Sequence, residues 1–191
     1  MSTKQFLFYV ASVIISLSLL NTYKDNSFKK RNVVKNSEPE YVKLEHVKTE
    51  KIINLKVNKQ KNCLMNALYY EARSESKLGI LAVASVIENR KNSERYPSTY
   101  CKVVNQRKQF SYTLENKPDI NKISQTLTYY DKQSYDYIYN LAHKMSNGMF
   151  ETMLPETVMW YATKKVSNAW TKTKHVYATI GFHHFYHKKD K

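Results

Sequence analysis

Two glutamates, Glu71 and Glu75, stand four residues apart in the stretch Tyr70-Glu71-Ala72-Arg73-Ser74-Glu75. A carboxyl pressed against apolar and aromatic groups loses hydration of its charged form. The protonated form then gains weight, and with it general-acid chemistry. Glu71, flanked by Tyr70 and Ala72, is the better placed of the two for this role. Residues four apart in a helix share a face, so Glu75 is expected beside it. Arg73 can pair with either carboxylate only if the chain bends there. The plain alternative is that both glutamates are solvated groups near a helix end, as most glutamates are.

The elements that must position this pair are legible around it. Leu64, Leu68 and Ala72 recur at four-residue steps, with Met65, Ala67 and Tyr69 between them. This spacing predicts a mostly buried helix that ends near Glu71. After a turn at Ser74 to Lys77, a second helix is marked by Leu78, Leu81, Ala82, Ser85, Val86 and Asn89, and Asn89-Arg90 closes it. Two apolar helices in tandem imply a helical core. Tyr100 to Gln106 reads as a short helix, residues 113–131 as a polar loop, and Gln133 to Asn147 as an amphipathic helix ended by Asn147-Gly148. Val176 to Ile180 reads as a strand.

The ordered boxes Tyr70-Glu71-Ala72-Arg73-Ser74-Glu75, Ala82-Val83-Ala84-Ser85-Val86-Ile87, Asn89-Arg90, Tyr96-Pro97, Val103-Val104, Gln109-Phe110-Ser111, Trp160-Tyr161, Trp170 and Ile180-Gly181-Phe182-His183-His184-Phe185-Tyr186 resemble the cell-wall hydrolase family of the spore-cortex-lytic enzymes, which also has phage members. The resemblance covers roughly residues 62–187. Ser74 stands where the family has a glycine, and Ile80 and Ile87 are bulkier than its alanine-rich positions. The resemblance implies an α+β, mainly α fold: a single lysozyme-like catalytic domain with a small strand or loop lobe. It implies cleavage of peptidoglycan between N-acetylmuramic acid and N-acetylglucosamine, with Glu71 catalytic and no cofactor or metal. Glu75, Gln109, Phe110, Ser111, Tyr161, His183 and Tyr186 are then the expected substrate-binding residues. An aromatic face suits a sugar ring, and an amide and a hydroxyl suit its polar groups.

Only Glu71 has a strong positional claim, and hydrolytic glycosidases use two carboxylates. A single glutamate points to a lytic transglycosylase. Muramidase-type hydrolysis would enlist Glu75, Glu115 or Asp119 as the second carboxylate. A non-catalytic wall-binding or virion protein would use the same groove for adhesion, and a wall amidase or peptidase would need a metal. His175, His183, His184 and His187 are the metal candidates. No cysteine or carboxylate nearby gives an obvious third ligand, and a packed His183 orienting a groove residue is the preferred reading.

The 191 residues accommodate one domain with appendages. The expected divisions are a signal peptide or signal anchor at 1–23, a basic flexible linker at 24–60, the catalytic domain at 61–187 and a basic tail at 188–191. The apolar run Phe6 to Leu20 lacks a small-residue cleavage site, which favours an anchor. Lys24, Lys29, Lys30 and Arg31 follow that run, and charge counting alone would leave the rest of the chain in the cytoplasm. The resemblance demands export to face the wall. The formal charge of +15 favours polyanionic partners, either an acidic wall polymer or lipid headgroups. No nucleic-acid motif accompanies it, so nucleic acid is not expected as a partner, and the protein is expected to be a monomer. Cys63 and Cys101 permit one disulfide in an exported protein, and two buried thiols are the alternative.

Overall fold

The computed structural model describes residues 40–107 and 109–188. The apolar run Phe6 to Leu20 and the residues 188–191 tail, save its first residue, lie outside them. The chain divides into two compact units, Met1–Val47 and Lys48–Lys191. The second holds every feature described below except the start of the first helix.

That helix, α1, spans Glu40–Ala72. Residues 40–60, expected as flexible linker, are therefore helical. Pro39 precedes its first residue, and no glycine or proline then occurs before Gly79. The intervening stretch is rich in lysine, glutamate and leucine, good helix formers that need no buried face to propagate. Leu44, Ile52 and Leu55 are accordingly exposed. Burial begins at Leu64 and Met65, where the apolar spacing predicted it.

Helix α2, Lys77–Asn92, is the centre of the domain, with eleven of its sixteen residues buried. Ser76 caps it by accepting from the Gly79 amide. Asn89 and Arg90 do not close it. The helix runs two residues further, and both side chains are buried. Asn89 Nδ2 donates to the carbonyls of Pro155 (2.7 Å) and Val158 (3.1 Å), and Arg90 Nε donates to Met159 O (2.7 Å). The polar pair thus fastens the chain as it enters the sheet.

Helices α3 (Tyr100–Val104) and α4 (Ile120–Ile123) are short. Helix α5, Tyr129–Ser146, starts four residues before its expected position because Thr128 caps it through the Asp131 amide. Strands β1 (Val158–Thr163), β2 (Lys174–Ile180) and β3 (His183–Lys188) form an antiparallel sheet in the order β1-β3-β2, with the one-turn helix α6 (Ala169–Lys172) between β1 and β2. Gly181 (φ +57°) and Phe182 turn β2 into β3. The core gathers Leu64 and Leu68 of α1, Val83 and Ile87 of α2, Ile138 and Met145 of α5, and Phe185 of β3. The fold is mainly helical with a small three-stranded sheet. A disulfide joins Cys63 to Cys101, with Cα atoms 5.1 Å apart, and ties α1 to α3.

Candidate active site

Helix α1 stops at Ala72, so Glu71 and Glu75 do not share a helical face. Glu71 is on the last turn of α1, and Glu75 is in the bend that leads to the Ser76 cap. The bend sends the two carboxylates to different places.

Glu71 faces the loop that follows α3. Phe110 lies there in extended backbone and is fully buried, against the expectation that it stacks on substrate. In extended chain the neighbours of an inward residue point outward. Gln109 and Ser111 are both exposed as a result. Ser111 turns two donors onto one oxygen: its N–H lies 2.9 Å and its Oγ 3.0 Å from Glu71 Oε1.

Tyr161 of β1 approaches Glu71 from the sheet. Its hydroxyl oxygen is buried and, among the described residues, has no partner in good hydrogen-bond geometry, Glu71 being its charged neighbour. Burial, and then the charge of Glu71, push this hydroxyl well above the ordinary phenol range. It stays protonated and keeps its proton to offer. Arg90 lies behind it. Burial draws the guanidinium below its usual range, with Tyr161 and Tyr96 acting in the opposite direction. Arg90 sits against the Tyr96 ring (5.4 Å) and the Phe110 ring (5.9 Å), and its Nη1 is buried without a hydrogen-bond partner. The expectation of a helix-closing polar pair missed this residue. Its only sequence signal was a charge placed directly after a long apolar helical run.

Two clefts are lined by the residues that face Glu71, one by Tyr161 and the other by Ser111. One, of about 350 Å³, is lined by Arg90, Gln109, Trp160, Tyr161, Trp170 and Lys174. Lys174 Nζ rests 4.4 Å from the Trp160 ring centre. The other, of about 250 Å³, is lined by Tyr70, Arg73, Ser111, Tyr112, Glu115 and Lys117. Tyr70 and Tyr112 stack there with ring centres 5.7 Å apart. Burial, then Glu71, raise the Tyr112 hydroxyl to about 12.

Glu75, expected to bind substrate, is turned inward. Its side chain is 4% exposed, and its oxygens accept from the Phe182 amide at 3.0 and 3.1 Å. His183 Nδ1 lies 2.8 Å from the same carboxylate. A Cβ on Gly181 would collide with Glu75 Oε2. Glu75 therefore clamps the β2–β3 turn against the start of α2. His183, also buried, meets the Tyr161 ring edge-on at 5.3 Å. Tyr186 is buried against Trp170 at 5.5 Å. Both side chains are buried beside cleft-lining residues, His183 beside Tyr161 and Tyr186 beside Trp170. Arg73 pairs with Asp131 at 3.6 Å and with neither glutamate. Of the expected residues, Glu71, Gln109, Ser111 and Tyr161 converge, while Glu75, Phe110, His183 and Tyr186 hold the frame. Among the described residues, no group of three or more histidines, cysteines or acids could hold a metal ion.

A model of the Cell Wall Hydrolase family matches residues 74–186, more than half of the chain. The chain belongs to the Cell Wall Hydrolase family. The matched span begins three residues after Glu71, so it takes in α2, the Ser111 loop and the sheet as far as residue 186 of β3, but not the end of α1. Among solved structures, the chain is similar to the catalytic domain of the Bacillus cereus SleB protein, at 24% identity and a TM-score of 0.49, covering 68% of this chain and 90% of that one. It is also similar to the catalytic domain of the germination-specific lytic transglycosylase SleB from Bacillus anthracis, at 24% identity and a TM-score of 0.48, covering 66% and 93%. No curated protein matches it. As a cell wall hydrolase, the chain is a peptidoglycan-cleaving enzyme.

Proposed function

We propose that residues 61–187 cleave the bond between N-acetylmuramic acid and N-acetylglucosamine as a lytic transglycosylase, with Glu71 as the one proton-transfer group. The observation that carries this reading is the double donation from Ser111 to Glu71 Oε1 between two aromatic-walled clefts. With one oxygen fixed, Oε2 is left for proton transfer. Protonated Glu71 gives its proton to the glycosidic oxygen, which leaves as the 4-hydroxyl of N-acetylglucosamine. The muramic sugar becomes cationic at C1. The Glu71 carboxylate then takes the proton of that sugar's 6-hydroxyl, whose oxygen closes on C1. The product is a 1,6-anhydro end, Glu71 is again protonated, and no water is consumed. Tyr161, held neutral, faces the same carboxylate and steadies its charged form. Trp160, Trp170, Tyr70 and Tyr112 are the stacking faces for the sugars, and Gln109 supplies an amide to their polar groups.

The other carboxylates are engaged elsewhere: Glu75 by Phe182 and His183, and Asp119 by Asn66 and Asn121. Glu115 lines the second cleft, paired with Lys117 at 2.9 Å, and is the candidate second carboxylate if water is the nucleophile. A wall substrate also requires export, which we assign to the apolar run Phe6 to Leu20.

Mass spectrometry of peptidoglycan digested by the full chain separates these outcomes. Anhydro-muropeptides are expected, from the parent and from Glu115→Gln alike. Glu71→Gln is expected to cut the rate by about 10²- to 10⁴-fold, the usual share of a positioned acid–base group. Reducing-end products that vanish in Glu115→Gln would instead mean hydrolysis. Full activity in Glu71→Gln would remove Glu71 from the role.

A further inference from the structure

A concavity beyond the Ser111 cleft has no part in the proton chemistry. It is a trough of about 550 Å³ along the second half of α1, over the Cys63–Cys101 disulfide. Tyr112 and Lys117 line both the trough and the cleft beside Ser111, so the two are continuous. Asn58, Lys59 and Asn62 form its α1 side, and Asn105 lies among its other lining residues. We propose that this trough binds the peptide stem carried by the muramic sugar. The proposal rests on the glycan-cleaving reading and adds the part of the substrate that reading leaves unplaced.

Three features select a peptide over more glycan. The first is spacing. Asn58 and Asn62 are one helical turn apart on one face, about 6 Å along the axis. An extended peptide presents like-facing groups about every 6.7 Å. The second is chemistry. Each asparagine amide offers both a donor and an acceptor, which matches a peptide group. Both side chains are exposed, whereas Asn66, one turn further on, is consumed by Asp119 and the Ile120 amide. The third is charge. Peptide stems carry carboxylates, and Lys59 lines the trough, with Lys117, paired to Glu115, at its junction with the cleft. The one acid among its lining residues, Asp119, is turned onto the Asn66 side chain and the Asn121 backbone and side-chain amides. The sugar-stacking aromatics, by contrast, are concentrated in the two clefts beside Glu71, and Tyr112 is the one aromatic ring that lines the trough.

The test compares two substrates for the full chain: purified glycan strands with their peptide stems, and the same strands stripped of stems by an amidase. The parent is expected to favour stem-bearing strands in kcat/KM. Replacing Asn58 and Asn62 together with alanine is expected to lower the ratio of the two kcat/KM values about tenfold, the loss of two amide pairings. Lys59→Glu is expected to move the ratio in the same direction. All three positions are exposed, so the variants should fold, and an unchanged melting temperature checks this. A parent with no preference, or a double variant that slows both substrates equally, would overturn the stem subsite; the second result would make the trough a glycan subsite. No glycan product from either substrate would overturn the underlying reading, and the subsite with it.

Discussion

Glu75 shows at the residue scale how a charge can be spent on architecture within sight of a reacting group. Its oxygens take the Phe182 amide and the His183 ring, in a space left open by Gly79 and Gly181. Gly181 needs its missing side chain twice, for the positive φ and for the contact with Glu75. Removing the carboxylate leaves the Phe182 amide without its acceptor and the buried His183 ring without its polar neighbour. Glu75→Ala is therefore expected to cost about 1–3 kcal/mol in urea unfolding, the range for leaving a hydrogen-bonding group unpaired. A loss below 1 kcal/mol would mean that the clamp is dispensable. The contrast with Glu71 lies in the donors. Glu71 receives both of its Ser111 donors on one oxygen at an exposed loop, while Glu75 is sealed on all sides.

At the scale of elements, the end of α1 must be held still if Glu71 is to act. The disulfide from Cys63 to Cys101 closes a separation of 38 residues and joins α1 to α3, just before the Ser111 loop. Replacing both cysteines with alanine should lower stability by about 3–4 kcal/mol in the chain-entropy account of a loop this long. Chemical denaturation of the two forms side by side measures it. An equal midpoint would show that packing of Leu64 and Leu68 alone fixes the helix. Helix α2 does the complementary work on the other side. Asn89 and Arg90 grip the backbone that enters β1, and β1 carries Trp160 and Tyr161 into the cleft.

For the whole molecule, the buried tyrosines set a limit on the working range. Tyr100, Tyr112 and Tyr161 are all raised, mainly by burial, with Tyr112 at about 12. In each case the folded state holds its proton to higher pH than the unfolded chain, which releases it near 10. Their contribution is complete below pH 10 and is lost as pH rises from 10 through the folded values, because the unfolded state there binds fewer protons. Stability should stay level on this account up to about pH 9 and then fall, by up to about 1.4 kcal/mol per pH unit for each tyrosine. Tyr112→Phe should make the decline between pH 10 and 12 shallower. Unfolding curves that superimpose for the parent and Tyr112→Phe across that window would contradict the assignment.

The sequence by itself determined the helices around Glu71, which follow from apolar period and turn residues within short windows. The Gln109-Phe110-Ser111 loop was picked out only by the family resemblance, and the structure brings Ser111 onto Glu71. The sequence also misled where local pattern was silent. The lysine- and glutamate-rich residues 40–60 have no buried face, so periodicity could not reveal a helix that rests on propensity. Only the tertiary structure decided which polar residues turn inward. Glu75 was expected on the same helical face as Glu71, but α1 stops at Ala72 and the β2–β3 turn, more than a hundred residues away, closes over it. Phe110 and Tyr186, expected against substrate, are buried in the structure, and Arg90 looked like a helix end until β1 covered it. Whether a polar side chain meets substrate or scaffold depends on partners distant in sequence, and those are set by packing rather than by spacing.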